Sequence, residues 1–122
     1  MITYKLHDNE LIIEDDSTGK ELWHGKPYGC SVVKIAPLQD SDGCIVLLDL
    51  YEFTDSDFHY LGNLILIGSD GKVKWNAELL GSHDAHVDFN YVNNELTSYM
   101  LTGFYVHIDP RTGKILSKIF TR

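Results

Sequence analysis

The densest group of side chains able to do chemistry is "SHDAHVDFN", residues 82–90. His83 and His86 stand at the i, i+3 spacing seen in some metal sites, with Asp84 and Asp88 beside them. On a strand, residues i and i+3 point to opposite faces. A shared ion therefore needs His83 in the loop ahead of the strand. No H-E-x-x-H pattern and no close cysteine pair supports such an ion. A metal-dependent enzyme using His83 and His86 stands as one reading, beside solvated histidines and a partner contact. Nucleophiles have less support. Ser31, Ser82 and Ser98 sit in no G-x-S-x-G elbow. Cys30 follows Gly29, and Cys44 opens an apolar run; free cysteine usually behaves as a small buried hydrophobe. No Gly-rich phosphate loop occurs. The expectation is no catalytic residue, no metal and no cofactor.

Charge placement is more informative. The 122 residues hold 10 Lys plus Arg against 18 Asp plus Glu, a formal net charge of −8. Nucleic-acid binding needs clustered Lys and Arg for phosphate contacts, so nucleic acid is not the expected partner. Between Lys34 and Lys72 no Lys or Arg occurs, while Asp40, Asp42, Asp49, Glu52, Asp55, Asp57 and Asp70 do. Within that span "YEFTDSDFHY" (51–60) adds Tyr51, Phe53, Phe58, His59 and Tyr60. Acids that steer and aromatics that anchor suit a surface for a basic protein. Asp40, Asp42, Glu52, Asp55, Asp57, Phe58 and Tyr60 are thus candidate partner-binding residues on one contact surface. His86, Asp88 and Asn90, on the polar face of the strand at 85–92, form a second candidate patch. The competing reading is an acidic loop kept for solubility, its aromatics tucked into the core. Asp49 interrupts "IVLLDLY" on an apolar face, where a carboxylate needs a partner or an exit to water.

The elements that must position these residues are strands. The apolar period is two, as in "ITYKL" and "AHVDFNY", where Ala85, Val87, Phe89 and Tyr91 share a face. "CIVLLDLYEF" and "NLILIG" are apolar on both faces, as doubly buried strands are. Strands are expected at 2–6, 11–15, 20–24, 31–38, 44–53, 62–68, 72–77, 85–92, 96–102, 104–109 and 114–120. Turn sequences separate them: "HDNE", "DSTGK", "DSDG", "SDGK", "VNNE" and "PRTGK". The fold class is all-β, an antiparallel meander of about eleven strands in a single domain over 1–122.

One turn recurs. Its glycines are Gly19, Gly71 and Gly113, spaced 52 and 42 residues apart (71 − 19 and 113 − 71). A period in the forties is what four short strands and their turns occupy. The chain divides into a three-stranded unit (about 1–25) and two four-stranded units (about 30–77 and 84–122). Asp15, Thr18, Gly19, Lys20 and Trp23 resemble the D-x-x-T-G-K-x-x-W signature of PQQ-type β-propeller repeats. Asp70, Gly71, Lys72 and Trp75 repeat it one residue shorter, and Asp109, Thr112, Gly113 and Lys114 repeat it with Ser117 in place of the tryptophan. The resemblance implies that each tryptophan docks against a neighbouring blade. Closed propellers have about four to eight blades, and this chain has material for fewer than three. An open, propeller-like stack is the expectation. The quinone site of the family's enzymes is assembled from a whole wheel, so no quinone is expected.

"MITYKLHDNE" shows no apolar signal-peptide core, and no apolar run reaches the roughly 18 residues of a membrane helix. The expectation is a cytoplasmic protein, away from membranes, with Cys30 and Cys44 as free thiols. A small, acidic protein of this kind resembles, in general character, a bacterial toxin-neutralising immunity protein. The functional expectation is a non-catalytic inhibitor of a basic toxin, such as a nuclease. The alternative is a scaffold module that self-associates to complete its wheel.

Overall fold

Among residues 1–121, which the computed structural model describes, eleven stretches pair as antiparallel strands in three sheets. The first sheet holds β1 (Ile2–His7), β2 (Glu10–Asp15) and β3 (Lys20–Gly25). The second holds β4 (Val32–Pro37), β5 (Cys44–Leu48), β6 (Leu64–Ile67) and β7 (Val73–Asn76). The third holds β8 (His86–Val92), β9 (Glu95–Met100), β10 (Phe104–Ile108) and β11 (Ile115–Phe120). In each sheet the strands follow chain order, so every sheet is a meander.

Local chemistry fixes the turns. Asp8–Asn9 and Asn93–Asn94 each place two residues at positive φ, as a two-residue hairpin matched to strand twist requires. In the recurring turn, Asp15 accepts from the Ser17 amide and Asp109 from the Arg111 amide, at 3.0 and 2.9 Å. The Gly19 and Gly113 amides return to the Asp15 and Asp109 carbonyls, both at 2.8 Å. The shorter second copy closes instead through Gly71 to the Gly68 carbonyl, at 2.9 Å. A register shift precedes each copy, in β2, β6 and β10.

The sheets stack face to face on two apolar layers. Leu11 and Ile13 of the first sheet meet Val32, Val46, Leu48, Ile65 and Ile67 of the second. The opposite face of the second sheet, Ile45, Leu47, Leu64 and Leu66, meets Phe89, Leu96, Val106 and Ile108 of the third. This accounts for β5 and β6 being apolar on both faces. The outer face of the first sheet is charged, with Lys5 paired to Glu14 at 2.7 Å and His24 to Glu10 at 2.9 Å.

The tryptophans lock successive sheets together. A Cβ added at Gly71 would lie 2.1 Å from the Trp23 indole, and one at Gly113 would lie 2.7 Å from that of Trp75. Each indole thus lies on the glycine turn of the next sheet, and each glycine also has positive φ. Trp75 adds an indole N–H bond to the Pro110 carbonyl at 3.0 Å. The series stops at Ser117, on the last sheet. Asparagines make a second link. The Val32 amide donates to the Asn9 carbonyl at 2.8 Å, and the Asn9 side chain donates back to the Val32 carbonyl at 3.2 Å. At the next junction both contacts come from the Asn63 side chain, which accepts from the His86 amide at 2.7 Å and donates to the His86 carbonyl at 2.8 Å.

One expectation on the elements is corrected. The strand expected over 44–53 ends at Leu48, and α1 (Leu50–Thr54) follows. Asp49 caps it, accepting from the Tyr51 and Glu52 amides, both at 3.0 Å. The cap supplies the partner this carboxylate needs. No helix among the described residues is long and apolar enough to cross a membrane.

The free thiols expected from the sequence follow from the register. Cys44 pairs with Pro37 at one end of β4, and Cys30 precedes the other end. Both are buried and free. Burial pushes the Cys44 thiol up to about 12 and raises that of Cys30 as well. Since the thiolate is the nucleophile, brief alkylation of the native protein at neutral pH should add no label, and alkylation after denaturation should add two. Intact mass reads both; no label after denaturation would show a disulfide and contradict this register.

Candidate protein-binding surface

The segment between β5 and β6, residues 49–63, is the longest excursion from the sheets. Its shape is held from within. Phe53, at the centre of α1, is buried and meets the Tyr28 ring edge-on at 5.4 Å. The Ser56 hydroxyl donates to the Phe53 carbonyl at 2.7 Å and accepts from the Phe58 amide at 3.1 Å. Glu52 reaches across to the Ser31 amide at 3.1 Å. Asn63 closes the excursion onto β8 and also donates to the Leu48 carbonyl at 3.0 Å. Ordered this way, the segment shows Tyr51 and Tyr60 to solvent at 74% and 67% exposure, large values for aromatic side chains. Phe58 lies half against Tyr28, 4.8 Å between ring centres, and is 39% exposed.

Asp55 and Asp57, on the same segment, are exposed. Among the described residues their carboxylates accept no hydrogen bond and join no ion pair. The segment 49–63 contains no Lys or Arg. A negative, aromatic, well-ordered patch can attract a cationic surface and bury rings against it. Glu52, Asp55, Asp57, Phe58 and Tyr60 all lie on this one segment and are exposed, with Glu52 turned to the Ser31 amide. Phe53, expected among the exposed anchors, belongs to the core.

The rest of the expected surface lies elsewhere. Asp40 and Asp42 sit in the loop between β4 and β5, at the opposite end of the second sheet. The five residues of β5 intervene, about 16 Å at roughly 3.3 Å per residue. The acids of 40–57 thus form two sites. Asp40 accepts from the Asn94 side chain at 2.7 Å, and Asp42 from the Tyr4 hydroxyl at 2.6 Å. The Tyr4 bond holds the Asp42 carboxyl below its ordinary range, while burial and that same carboxylate raise Tyr4. Both acids line an open cavity of about 640 Å³ with Leu38, Tyr91, Lys74 and Arg111.

The second patch is also corrected. His86 is fully buried. A bulge between His86 and Asp88 adds a residue to β8 opposite β9, so His86 turns inward and Val87 outward. The ring nitrogens of His86 are held by the Ser98 hydroxyl at 2.7 Å and the Glu78 carbonyl at 3.1 Å. Neither is free for a metal ion, and His83 stays on the surface. No group of three or more His, Cys, Asp or Glu able to hold an ion converges among the described residues. Asp88 and Asn90 are exposed, Asp88 paired with Lys34 at 3.1 Å.

No curated protein matches the sequence. Solved structures do match the fold. BamB from Moraxella catarrhalis, which carries the PQQ-like repeat β-propeller fold, superposes with TM-score 0.57 at 12% identity, over 98% of this chain and 35% of its own. The computationally designed Ika8 protein gives 0.56 at 16%, over 99% of this chain and 37% of its own. A protein of unknown function from Bacteroides caccae gives 0.52 at 16%, over 99% and 42%. The chain spans about a third to two-fifths of the length of the structures it matches. The likeness shows the fold, a partial β-propeller. A family model described as "Domain of unknown function (DUF7957)" matches residues 1–120.

Proposed function

The chain belongs to the DUF7957 family, and from that starting point we propose a non-catalytic binding protein that meets a basic protein partner through residues 49–63. The observation that carries this reading is the exposure of Tyr51, Phe58 and Tyr60 on a segment fixed from within that also carries Asp55 and Asp57. Phe58, already packed against Tyr28 at 4.8 Å between ring centres, has less freedom to lose on binding. The net charge of −8 has the sign that suits a basic partner. In its finer form the proposal is an immunity-type inhibitor, with a basic toxin such as a nuclease as the partner. Buried anchors mostly set the dissociation rate. With the partner recovered from the native host, Phe58→Ala and Tyr60→Ala should each speed dissociation by about tenfold or more. Dissociation rates equal to wild type in both variants would overturn the aromatic part of the surface.

A second reading, a self-associating scaffold module, draws on the uncovered outer face of the third sheet. There the Tyr99 and Tyr105 rings lie 4.8 Å apart, with Leu101 and Ile119 exposed nearby. Light scattering separates the readings. A monomer at working concentration favours the partner surface, and a dimer abolished by Tyr99→Glu favours the scaffold.

A further inference from the structure

The cavity of about 640 Å³ opens between the second and third sheets, at the end of the second sheet away from residues 49–63. Both sheets that wall it have their full four strands. Its volume is in the range of small-molecule sites. The walls are tied together on two sides. On one, the Asn94 amide donates to the Gln39 side chain at 3.0 Å and the Asn94 side chain donates to Asp40 at 2.7 Å. These bonds join the β4–β5 loop to the β8–β9 turn, and the Tyr91 hydroxyl steadies Asn94 at 3.0 Å. On the other, the Trp75 indole N–H reaches the Pro110 carbonyl at 3.0 Å, and the Glu78 amide reaches the Gly113 carbonyl at 2.8 Å. Cross-linked in this way, the space is preformed.

Its lining has two parts. Leu38, Leu66, Tyr91 and Pro110 are apolar, and apolar surface in contact with water favours an apolar occupant. The charged groups differ in what they have left to offer. Asp40 accepts from Asn94, Asp42 from the Tyr4 hydroxyl at 2.6 Å, and Asp109 from the Arg111 amide at 2.9 Å. Each acid is thus engaged by the fold. Lys74 of β7 and Arg111 of the β10–β11 turn reach the cavity from opposite sheets. Among the described residues the Lys74 ammonium donates no hydrogen bond and joins no ion pair. Arg111 gives only its Nε, to Asp109 at 3.5 Å, which leaves the other donors of its guanidinium unengaged. The polar capacity still open in the cavity is that of two cations.

We propose that this cavity binds a small amphipathic carboxylate, its apolar body on Leu38, Leu66, Tyr91 and Pro110 and its carboxylate between Lys74 and Arg111. Bonds from two cations to one carboxylate are charge-assisted and stronger than those to a neutral group. The site is independent of residues 49–63 and of the partner proposed for them.

Three probes of one shape test it. Phenylbutyrate, phenylbutyramide and phenylbutylamine carry a negative charge, no charge and a positive charge on the same apolar body. Each is titrated into the protein at low salt and followed by amide NMR shifts. Phenylbutyrate should move the Ser41, Asn94 and Arg111 amides along one saturable curve, with a dissociation constant of a few millimolar or tighter, of the order expected for so small a ligand. It should bind at least about tenfold more tightly than the amide or the amine. Lys74→Gln with Arg111→Gln changes two exposed side chains. The double variant should keep the thermal midpoint, weaken phenylbutyrate by about tenfold or more and leave the amide unchanged. Tighter binding of the amine would assign the cavity to a cation held by its acids and overturn the proposal. Shifts that do not saturate, or phenylbutyrate bound equally by the double variant, would overturn it as well.

Discussion

Replacing Trp75 by alanine should lower the free energy of unfolding by about 3–5 kcal/mol. The indole is 8% exposed and lies between the second and third sheets on the Gly113 turn. Truncation leaves a cavity where two sheets meet and leaves the Pro110 carbonyl without its donor. A domain of this size has about 5–15 kcal/mol in total, so much of the variant should unfold at modest urea. The equivalent contact between the first and second sheets can be broken from the glycine side. Gly71→Ala would place a methyl group 2.1 Å from the Trp23 indole on a residue with φ of 81°. Urea titrations give the midpoints; one for Trp75→Ala equal to wild type would contradict the stacking.

Acidification should destabilise the protein through His86. Burial pushes its imidazole down to about 4 from an ordinary 6.5. The folded state therefore holds His86 neutral at pH values where the unfolded chain takes up a proton. Its contribution is fully present above about 6.5 and is lost as pH falls toward 4. The loss approaches about 3 kcal/mol at the lower end, since each tenfold drop in proton affinity is worth about 1.4 kcal/mol. The Glu78 carbonyl and, less, the Asp84 carboxylate favour the charged ring, and the value of about 4 is what burial leaves after them. Unfolding free energies measured between pH 7 and 4.5 should fall, and His86→Gln should flatten the fall. An equal slope in the variant would assign the pH dependence to other groups.

Much of the architecture is legible because it is written in local chemistry. Asp, Thr and Gly at fixed offsets specify the same turn wherever they occur, and the apolar runs between turns are strands. The repeat of that turn locates the three sheets and marks the first as incomplete. Three features escaped for physical reasons. "CIVLLDLYEF" keeps a strand's period, yet Asp49 with Glu52 three residues on is also a helix-start signal, and the cap prevails. The bulge at His86–Asp88 turns His86 inward, and no residue type there announces an extra residue opposite β9. Asp42 and Asp55 are close in sequence, but the chain crosses the sheet once between them, so nearness along it gives no nearness in space.

The most direct test of the proposed surface is the association rate of the natural partner with Asp55→Lys/Asp57→Lys, measured at low and at physiological salt. The two carboxylates are exposed and, among the described residues, accept no hydrogen bond and join no ion pair, so the double variant should fold as wild type does. Charges at the rim of an interface act mainly on encounter, and salt screens them over about 8–10 Å. The predicted result is association slowed by about tenfold or more at low salt, a smaller deficit at physiological salt and little change in dissociation. Association equal to wild type at both salt concentrations would contradict the acidic surface at residues 49–63.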